Sequence, residues 1–562
     1  MNSFFGKITW TAKQNKSIFC DEHSFSNGII EFRAERIRIF RSAEKTLYYN
    51  KNSRVLCAII GYICNIEEIR EKYELSVQTD VETVEYLYRC KGPAFSLELE
   101  GLFWIWLFDE NEQKGYILQS EPGTGLPLYY TTTNATVLFS TSLKQLLLSF
   151  PQQRELDREA VKDFFHFSHV IPNESTLIKG VQKLLPGTAL AIDFTRQSIQ
   201  VKTHKSHEVL PSKQEAKAQL LPSIQACVKN LFYLGKQQEA ALTLTAGWDT
   251  NLLLHFLKKE TNAQITAVTI NGGGKQNEIP ATASILEHYP KVRHLTATVH
   301  YELSSLPEIV WILEGYVFQE GMFLRSELAR VLAQEDLHSV FLGACGDQVL
   351  YPVPLLKKLL EKIPGGKYKM SLLRILRLCK YRYLMREGGE ERAFRLKTPP
   401  HKGNQGYHLD IEFLLKMHEM MLNSFEIMGF FPLLNRKTAR MAKRLGILNR
   451  KKAFYKQKIK RLLAPQITQY FKKSGSVVDT RQSFEANKAI LLKILNTSFV
   501  ETILTEAQRQ LLIKQPSHYH LVILQVAYLY VFHELIVSGR LDAQFDQPHL
   551  DVTLTDLLTG RV

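Results

Sequence analysis

Residues Leu244-Thr245-Ala246-Gly247-Trp248-Asp249-Thr250 have the side-chain types, in the order, that phosphate chemistry requires. Glu239–Leu244 reads as a strand that delivers the chain into this turn, and Leu252–Leu257 reads as the helix that leaves it. Small residues at such a corner let the backbone approach a phosphate, and the new helix presents unpaired N–H groups at its positive end. Thr245 and Thr250 add hydroxyl donors, and the Asp249 carboxylate is able to hold a metal ion against the same phosphates. Corners of this kind are also common where nothing binds, so a second one matters. His338–Leu342 reads as a strand ending in Gly343-Ala344-Cys345-Gly346-Asp347-Gln348, again small residues and then one carboxylate. Asp249 and Asp347, each at the carboxyl end of a parallel strand, are expected to share one Mg2+ carried by a triphosphate.

The elements that must position these turns follow from the texture of the chain. A helix over Lys213–Leu234 precedes the first strand. Strand Ile265–Ile270, a helix from Glu278, strand Lys291–Thr296, helix Pro307–Gly315 and strand His338–Leu342 come after the first turn. Strands alternating with helices predict a doubly wound parallel sheet, whose ligands sit at the carboxyl ends of its strands. Before it, short apolar runs (Ile29–Phe32, Val55–Ile63, Phe103–Phe108, Tyr116–Leu118, Leu128–Tyr130, Thr136–Ser140) separated by turn residues predict two packed antiparallel sheets. The fold class is therefore α/β. Residues 1–150 form an antiparallel β-sandwich, 151–213 a connector with a helix Asp157–Phe167, and 214–562 the parallel-sheet domain, mainly helical after Tyr351.

A chain of 562 residues is too long for one core. Seven cysteines without a CxxC pair, mostly inside apolar runs, read as small core residues in a reducing compartment, and structural zinc is not expected. Met1–Trp10 has no apolar export segment, which points to the cytoplasm. Leu521–Val537 is apolar but contains Gln525, His533 and Glu534, so it reads as a buried helix rather than a membrane span. The net charge of +15 gathers between Lys357 and Arg386 and again from Arg436 to Lys473. Such clusters attract polyanions or acidic peptides, or simply coat a solvated helix, and no nucleic-acid-binding signature accompanies them.

At this point the chain resembles the asparagine synthetase family, from about Val55 to Gly475. Thr245–Thr250 resembles that family's Ser-Gly-Gly-x-Asp-Ser loop, and Gly343–Gln348 its Gly-Glu-Gly-Ala-Asp-Glu stretch. Phe431-Pro432-Leu433-Leu434-Asn435 resembles Pro-Phe-Leu-Asp, Lys452–Lys456 resembles Lys-x-x-Leu-Arg, and Pro465–Lys473 a Pro and Lys spaced alike. Leu99-Glu100-Gly101-Leu102-Phe103, Pro127–Tyr130 and Phe139–Lys144 match in the first half. The resemblance implies a class II glutamine amidotransferase-like, Ntn-hydrolase-like domain ahead of an ATP-pyrophosphatase domain of the adenine-nucleotide α-hydrolase type. It implies ATP and Mg2+ as cofactors, with Leu244, Thr245, Ala246, Gly247, Asp249, Thr250, Val268, Leu342, Gly343 and Asp347 around the ATP and pyrophosphate. Lys473 and Lys452 become candidates to stabilise charge during catalysis.

Departures refine the expectation. The family's N-terminal cysteine nucleophile is Asn2 here, and its Asn-Gly-Glu falls on Ile60-Gly61-Tyr62, leaving Asp80 from the glutamine pocket. Glutamine hydrolysis is not expected from such a site. Ala344 and Gln348 replace two glutamates, and Asn435 an aspartate. This pattern resembles lasso peptide cyclases, in which an Asp or Glu of a precursor peptide is adenylated and attacked by the peptide's own amine. A small leader-peptide-binding protein and a protease would then be partners. Amidation of a small carboxylate with free ammonia, and a non-catalytic nucleotide-binding scaffold, are the alternatives.

Overall fold

The computed structural model describes residues 3–561 apart from 10–20, 26–27, 36–46, 78, 122, 133–135, 151–153, 168–170, 172–173, 204–209, 235–238, 273–276, 300–302, 319–320, 351–404, 447–452, 472–479 and 546. Lys452, Lys473 and the basic stretch Lys357–Arg386 lie outside the described residues.

The strands are β1 (Ser3–Thr9), β2 (Asp21–Phe25), β3 (Gly28–Glu35), β4 (Leu47–Asn50), β5 (Val55–Ile63), β6 (Gly101–Asp109), β7 (Lys114–Gln119), β8 (Tyr129–Thr132), β9 (Thr136–Ser140), β10 (Gln182–Lys183), β11 (Thr188–Asp193), β12 (Ser198–Thr203), β13 (Glu239–Thr243), β14 (Gln264–Asn271), β15 (Val292–Thr298), β16 (Ser339–Phe341) and β17 (Met428–Phe430). Two sheets, ordered β10-β8-β9-β1-β3-β2 and β12-β11-β7-β6-β5-β4, are antiparallel throughout. Trp104, Trp106 and Phe108 of one sheet share a buried cluster with Tyr130, Val137 and Phe139 of the other, so the two sheets pack face to face. The stretch read as a connector supplies β10 to one sheet and β11 and β12 to the other. Its consecutive buried apolar residues, Ala189 to Ile192, suit β11 to a place between β7 and β12.

The third sheet is parallel, in the order β15-β14-β13-β16-β17. From β13 the chain winds outward through β14 and β15, then returns to the other side of β13 as β16 and β17. The switch point therefore lies between β13 and β16, the two strands that end in the acidic turns. Buried Ala240, Leu242, Val340 and Phe341 lie in one apolar cluster that also takes in Cys57, Tyr62 and Phe103 of the N-terminal sheets. The stretch His520–Val537 is the one described helix long and apolar enough to cross a membrane, but 78% of it is buried, within a second cluster that includes Trp311 and Phe164.

Candidate functional site: two acidic turns at the switch point

Register places the turns side by side. Thr243 pairs with Val268 and Leu242 with Phe341, so β13 and β16 release the chain at the same level. Leu244 and Val268 are buried and joined by a 2.8 Å bond from the Leu244 N–H to the Val268 carbonyl. Leu342, also buried, donates its N–H to the Phe430 carbonyl at 2.8 Å. These residues form the floor under the turns rather than their contact surface.

Gly247 caps the helix Trp248–Glu260 without a side-chain cap, so its first turn directs backbone N–H groups toward the crevice. The turn is also bonded within itself. The Thr245 and Thr250 hydroxyls lie 3.0 Å apart, Thr250 Oγ1 accepts the Thr245 N–H at 3.2 Å, and Thr245 Oγ1 accepts the Gly247 N–H at 3.2 Å. Asn251 Nδ2 donates to the carbonyls of Thr245 and Gly247 at 2.9 and 2.7 Å. The two hydroxyls expected to face a phosphate thus hold the turn closed. Thr250 is nearly inaccessible, and a hydroxyl buried at a helix start needs a local partner, which Thr245 supplies.

The second turn abuts the first. A Cβ built on Gly343 would stand 2.7 Å from Thr250 Cγ2 and 3.5 Å from Asp249 Cβ, and one on Gly346 would stand 2.6 Å from Asp249 Oδ2. The charges of Asp249 and Asp347 both bear on the buried Tyr455 hydroxyl, whose pKa is raised chiefly by burial. Two carboxylates on touching turns suit Mg2+, which takes one or two protein carboxylates and completes its shell with phosphate oxygens and water. No cluster of three His, Cys, Asp or Glu side chains that could hold a metal ion occurs among the described residues. Cys345, at the bend of the second turn, has φ +64° and is buried. A non-glycine residue in the left-handed region stores strain, a device often found where a turn must present a carboxylate.

Two neighbours were given no role in the site by the sequence. Glu278, just ahead of the helix Ile279–Leu286, lies near the Ala246 backbone, and burial raises its carboxyl above the usual range against the opposing pull of the Ala246 N–H. Tyr455 lies on the helix Ala453–Leu462, which packs against Trp248–Glu260. There Lys456 and Lys460 stand 5.9 and 5.8 Å from the Trp248 ring centre, and Phe471 meets the same ring edge-on at 4.8 Å. Neither Glu278 nor Tyr455 has a spacing that ties it to either turn. Asn435 serves the backbone. Its Oδ1 caps the helix Arg436–Leu445 by accepting the Thr438 N–H at 2.7 Å, and its Nδ2 donates to the Pro432 carbonyl at 2.8 Å.

The positions that the resemblance assigns to a glutamine pocket are engaged within the fold. Gly61, with φ +93°, lies so close to β6 that a Cβ would stand 2.2 Å from the Leu102 carbonyl oxygen. Tyr62 is buried, stacks edge-on against Phe430 at 5.5 Å and accepts the Phe431 N–H at 3.3 Å. Asp80 is paired with Arg70 at 2.7 Å.

The chain is similar to known proteins over parts of its length. A model of the glutamine amidotransferase domain matches residues 21–205. Asparagine synthetase [glutamine-hydrolyzing] 1 of Bacillus subtilis (strain 168) is 24% identical over 333 residues, covering 56% of this chain and 50% of that protein. Asparagine synthetase [glutamine-hydrolyzing] 2 of the same organism is 22% identical over 293 residues, covering 48% and 38%. The chain thus spans half or less of the length of these curated relatives. Among solved structures, glutamine phosphoribosylpyrophosphate (PRPP) amidotransferase from B. subtilis, complexed with ADP and GMP, aligns at 10% identity over 48% of this chain and 76% of that one. Its TM-score of 0.23 gives the likeness no weight. The glutamine amidotransferase domain match and the two weakly similar relatives make the chain similar to asparagine synthetases over part of its length.

Proposed function

We propose that this protein is an ATP-dependent ligase that adenylates a carboxylate and passes the acyl group to an amine. In this reading the acyl donor is an acidic side chain of a precursor peptide, and the peptide's own N-terminal amine closes a macrolactam ring. The observation that carries the reading is the meeting of the Asp249 and Asp347 turns at the switch point of the parallel sheet.

The substrate carboxylate attacks the α-phosphorus of ATP, and the bond to the bridging oxygen breaks to release pyrophosphate. The amine then attacks the acyl carbon, expelling AMP and losing a proton. The Gly247 corner and the first turn of Trp248–Glu260 offer N–H groups to the departing pyrophosphate. Asp249 and Asp347 would hold Mg2+, which would neutralise the phosphate charge as pyrophosphate leaves. Holding acid and amine of one peptide in one pocket makes the second step effectively unimolecular. The neutral Ala344 and Gln348, both half-exposed in the second turn, and the basic helices Arg436–Leu445 and Ala453–Leu462 favour an acidic peptide over free aspartate.

The N-terminal domain acts as a scaffold without glutaminase activity in this reading. Tyr62 stands where the family has a glutamine-binding glutamate and is engaged with Phe430 and Phe431, while Asp80 is held by Arg70.

ATP–pyrophosphate exchange tests the proposal. Exchange should require Mg2+ and a precursor peptide, and D249N or D347N should lower it by about a hundredfold or more. Mass spectrometry should show the peptide losing one water. Exchange driven by free aspartate and ammonia would replace the peptide reading with small-molecule amidation. Absence of exchange with every acid tried would reduce the protein to a scaffold, and glutamate release from glutamine would overturn the claim for the N-terminal domain.

A further inference from the structure

We infer that Asn251 is a positioning residue that aims two backbone N–H groups of the first acidic turn, those of Ala246 and Trp248, at the pyrophosphate portion of the nucleotide. The inference rests on the ligase reading above and deepens it, because it names what orients the donors of that corner. The motif of the family resemblance ends one residue earlier, at Thr250, and assigns Asn251 no role.

The N–H groups of the corner divide into two sets. The Thr245 N–H is taken by Thr250 Oγ1 and the Gly247 N–H by Thr245 Oγ1, each at 3.2 Å, so both are engaged inside the turn. The other two are directed by Asn251, whose side chain is buried in the first turns of the helix Trp248–Glu260. Its Nδ2 donates to the Thr245 carbonyl at 2.9 Å and to the Gly247 carbonyl at 2.7 Å. A planar trans peptide group holds its C=O and N–H antiparallel. Drawing both carbonyls onto one amide therefore turns the Ala246 and Trp248 N–H groups the other way, out of the helix start, where two like-directed donors suit an anion. Thr250 Oγ1 stands 3.2 Å from the Thr245 carbonyl and shares in holding it, so the Gly247–Trp248 peptide depends on Asn251 more heavily. The two carbonyl acceptors also fix which end of the amide is nitrogen. The other end, Oδ1, is buried with no hydrogen-bond partner among the described residues. An apolar side chain of the same size would avoid that uncompensated acceptor, so packing alone does not account for an amide here.

The test is calorimetric titration of the full chain with Mg·pyrophosphate, and separately with AMP without metal, for wild type, N251L and N251S. N251L should weaken Mg·pyrophosphate binding about tenfold, the scale of one or two neutral hydrogen bonds, and leave AMP binding nearly unchanged. A serine hydroxyl at this place in the helix reaches back only to the Gly247 carbonyl, so N251S should recover part of the loss and bind about threefold more weakly than wild type. In ATP–pyrophosphate exchange the KM for pyrophosphate should rise in the same order, while the KM for the acid stays as in wild type. Wild-type Mg·pyrophosphate affinity in N251L, or in N251S if the leucine variant proves poorly folded, overturns the positioning role while leaving the ligase reading intact. So does an equal loss of affinity for AMP. Failure of the wild-type protein to bind Mg·pyrophosphate overturns both.

Discussion

Glu419 is buried in the helix Gln405–Ser424 with glycines pressed against it from two directions. A Cβ on Gly125 would fall 1.7 Å from its Cγ, and one on Gly429 would fall 3.0 Å from its Oε1. Burial pushes its carboxyl up to about 8, against the opposing pull of Lys416, and the Tyr62 hydroxyl feels its charge. The unfolded chain releases this proton near pH 4.5, whereas the folded chain keeps it to about 8. Stability therefore falls as pH rises through that window and levels off above it. The interval sets an upper bound of about 5 kcal/mol at 1.36 kcal/mol per unit. E419Q should raise the denaturation midpoint at pH 8 and leave it nearly unchanged at pH 4. An equal effect at both pH values would show that Glu419 is ionised in the folded protein. Sequence alone marked Asp249, Gly247 and Asp347 because turn residues advertise local chemistry. Glu419, Glu278 and Tyr455 were silent because their neighbours come from other elements.

Single elements were legible where their signals are local. The helix Asp80–Lys91 begins with a capping box, Thr79 accepting from the Glu82 N–H and Glu82 from that of Thr79, a pattern that Thr79-Asp80-Val81-Glu82 spells out. β17 is only Met428–Phe430, too short for periodicity, and exists because the backbone of β16 pairs with it. Asn435 shows how an apparent departure from a family motif finds a reason in a helix start. Asn and Asp cap about equally well, so N435D should be nearly neutral. N435A should cost about 1 kcal/mol in urea unfolding and leave the Pro432 carbonyl without its side-chain donor. A cost as large for N435D as for N435A would mean the residue acts through chemistry rather than capping.

Across the whole molecule the two halves are fastened by buried polar contacts as well as by a shared apolar core. Glu314, at φ +49°, accepts the Ser142 hydroxyl at 2.6 Å and the Leu143 N–H at 2.5 Å. Lys144 lies 4.0 Å from it and donates to the Trp311 carbonyl at 3.1 Å, and burial pulls this lysine down to about 8. Glu100 accepts the Arg436 N–H at 3.1 Å, and Lys416 donates to the Leu126 carbonyl at 2.7 Å. Breaking one side of a buried pair leaves an uncompensated charge, so E314A should cost about 3–5 kcal/mol. Because the halves share a core, the loss should appear as one shifted transition by circular dichroism and by tryptophan fluorescence. Two separated transitions in wild-type protein would show that the halves unfold independently.

The amino-acid order by itself determined the kind of each strong element, the composition of the two acidic turns and the likeness to a ligase family, because periodicity, capping and turn chemistry act over a few residues. Tertiary structure decided that the turns meet, that β10, β11 and β12 complete the N-terminal sheets, that Tyr455 and Glu278 crowd the site, and that Tyr62 bridges the halves. Those outcomes depend on strand order and helix docking, which bring together residues far apart along the chain and leave no local trace in it.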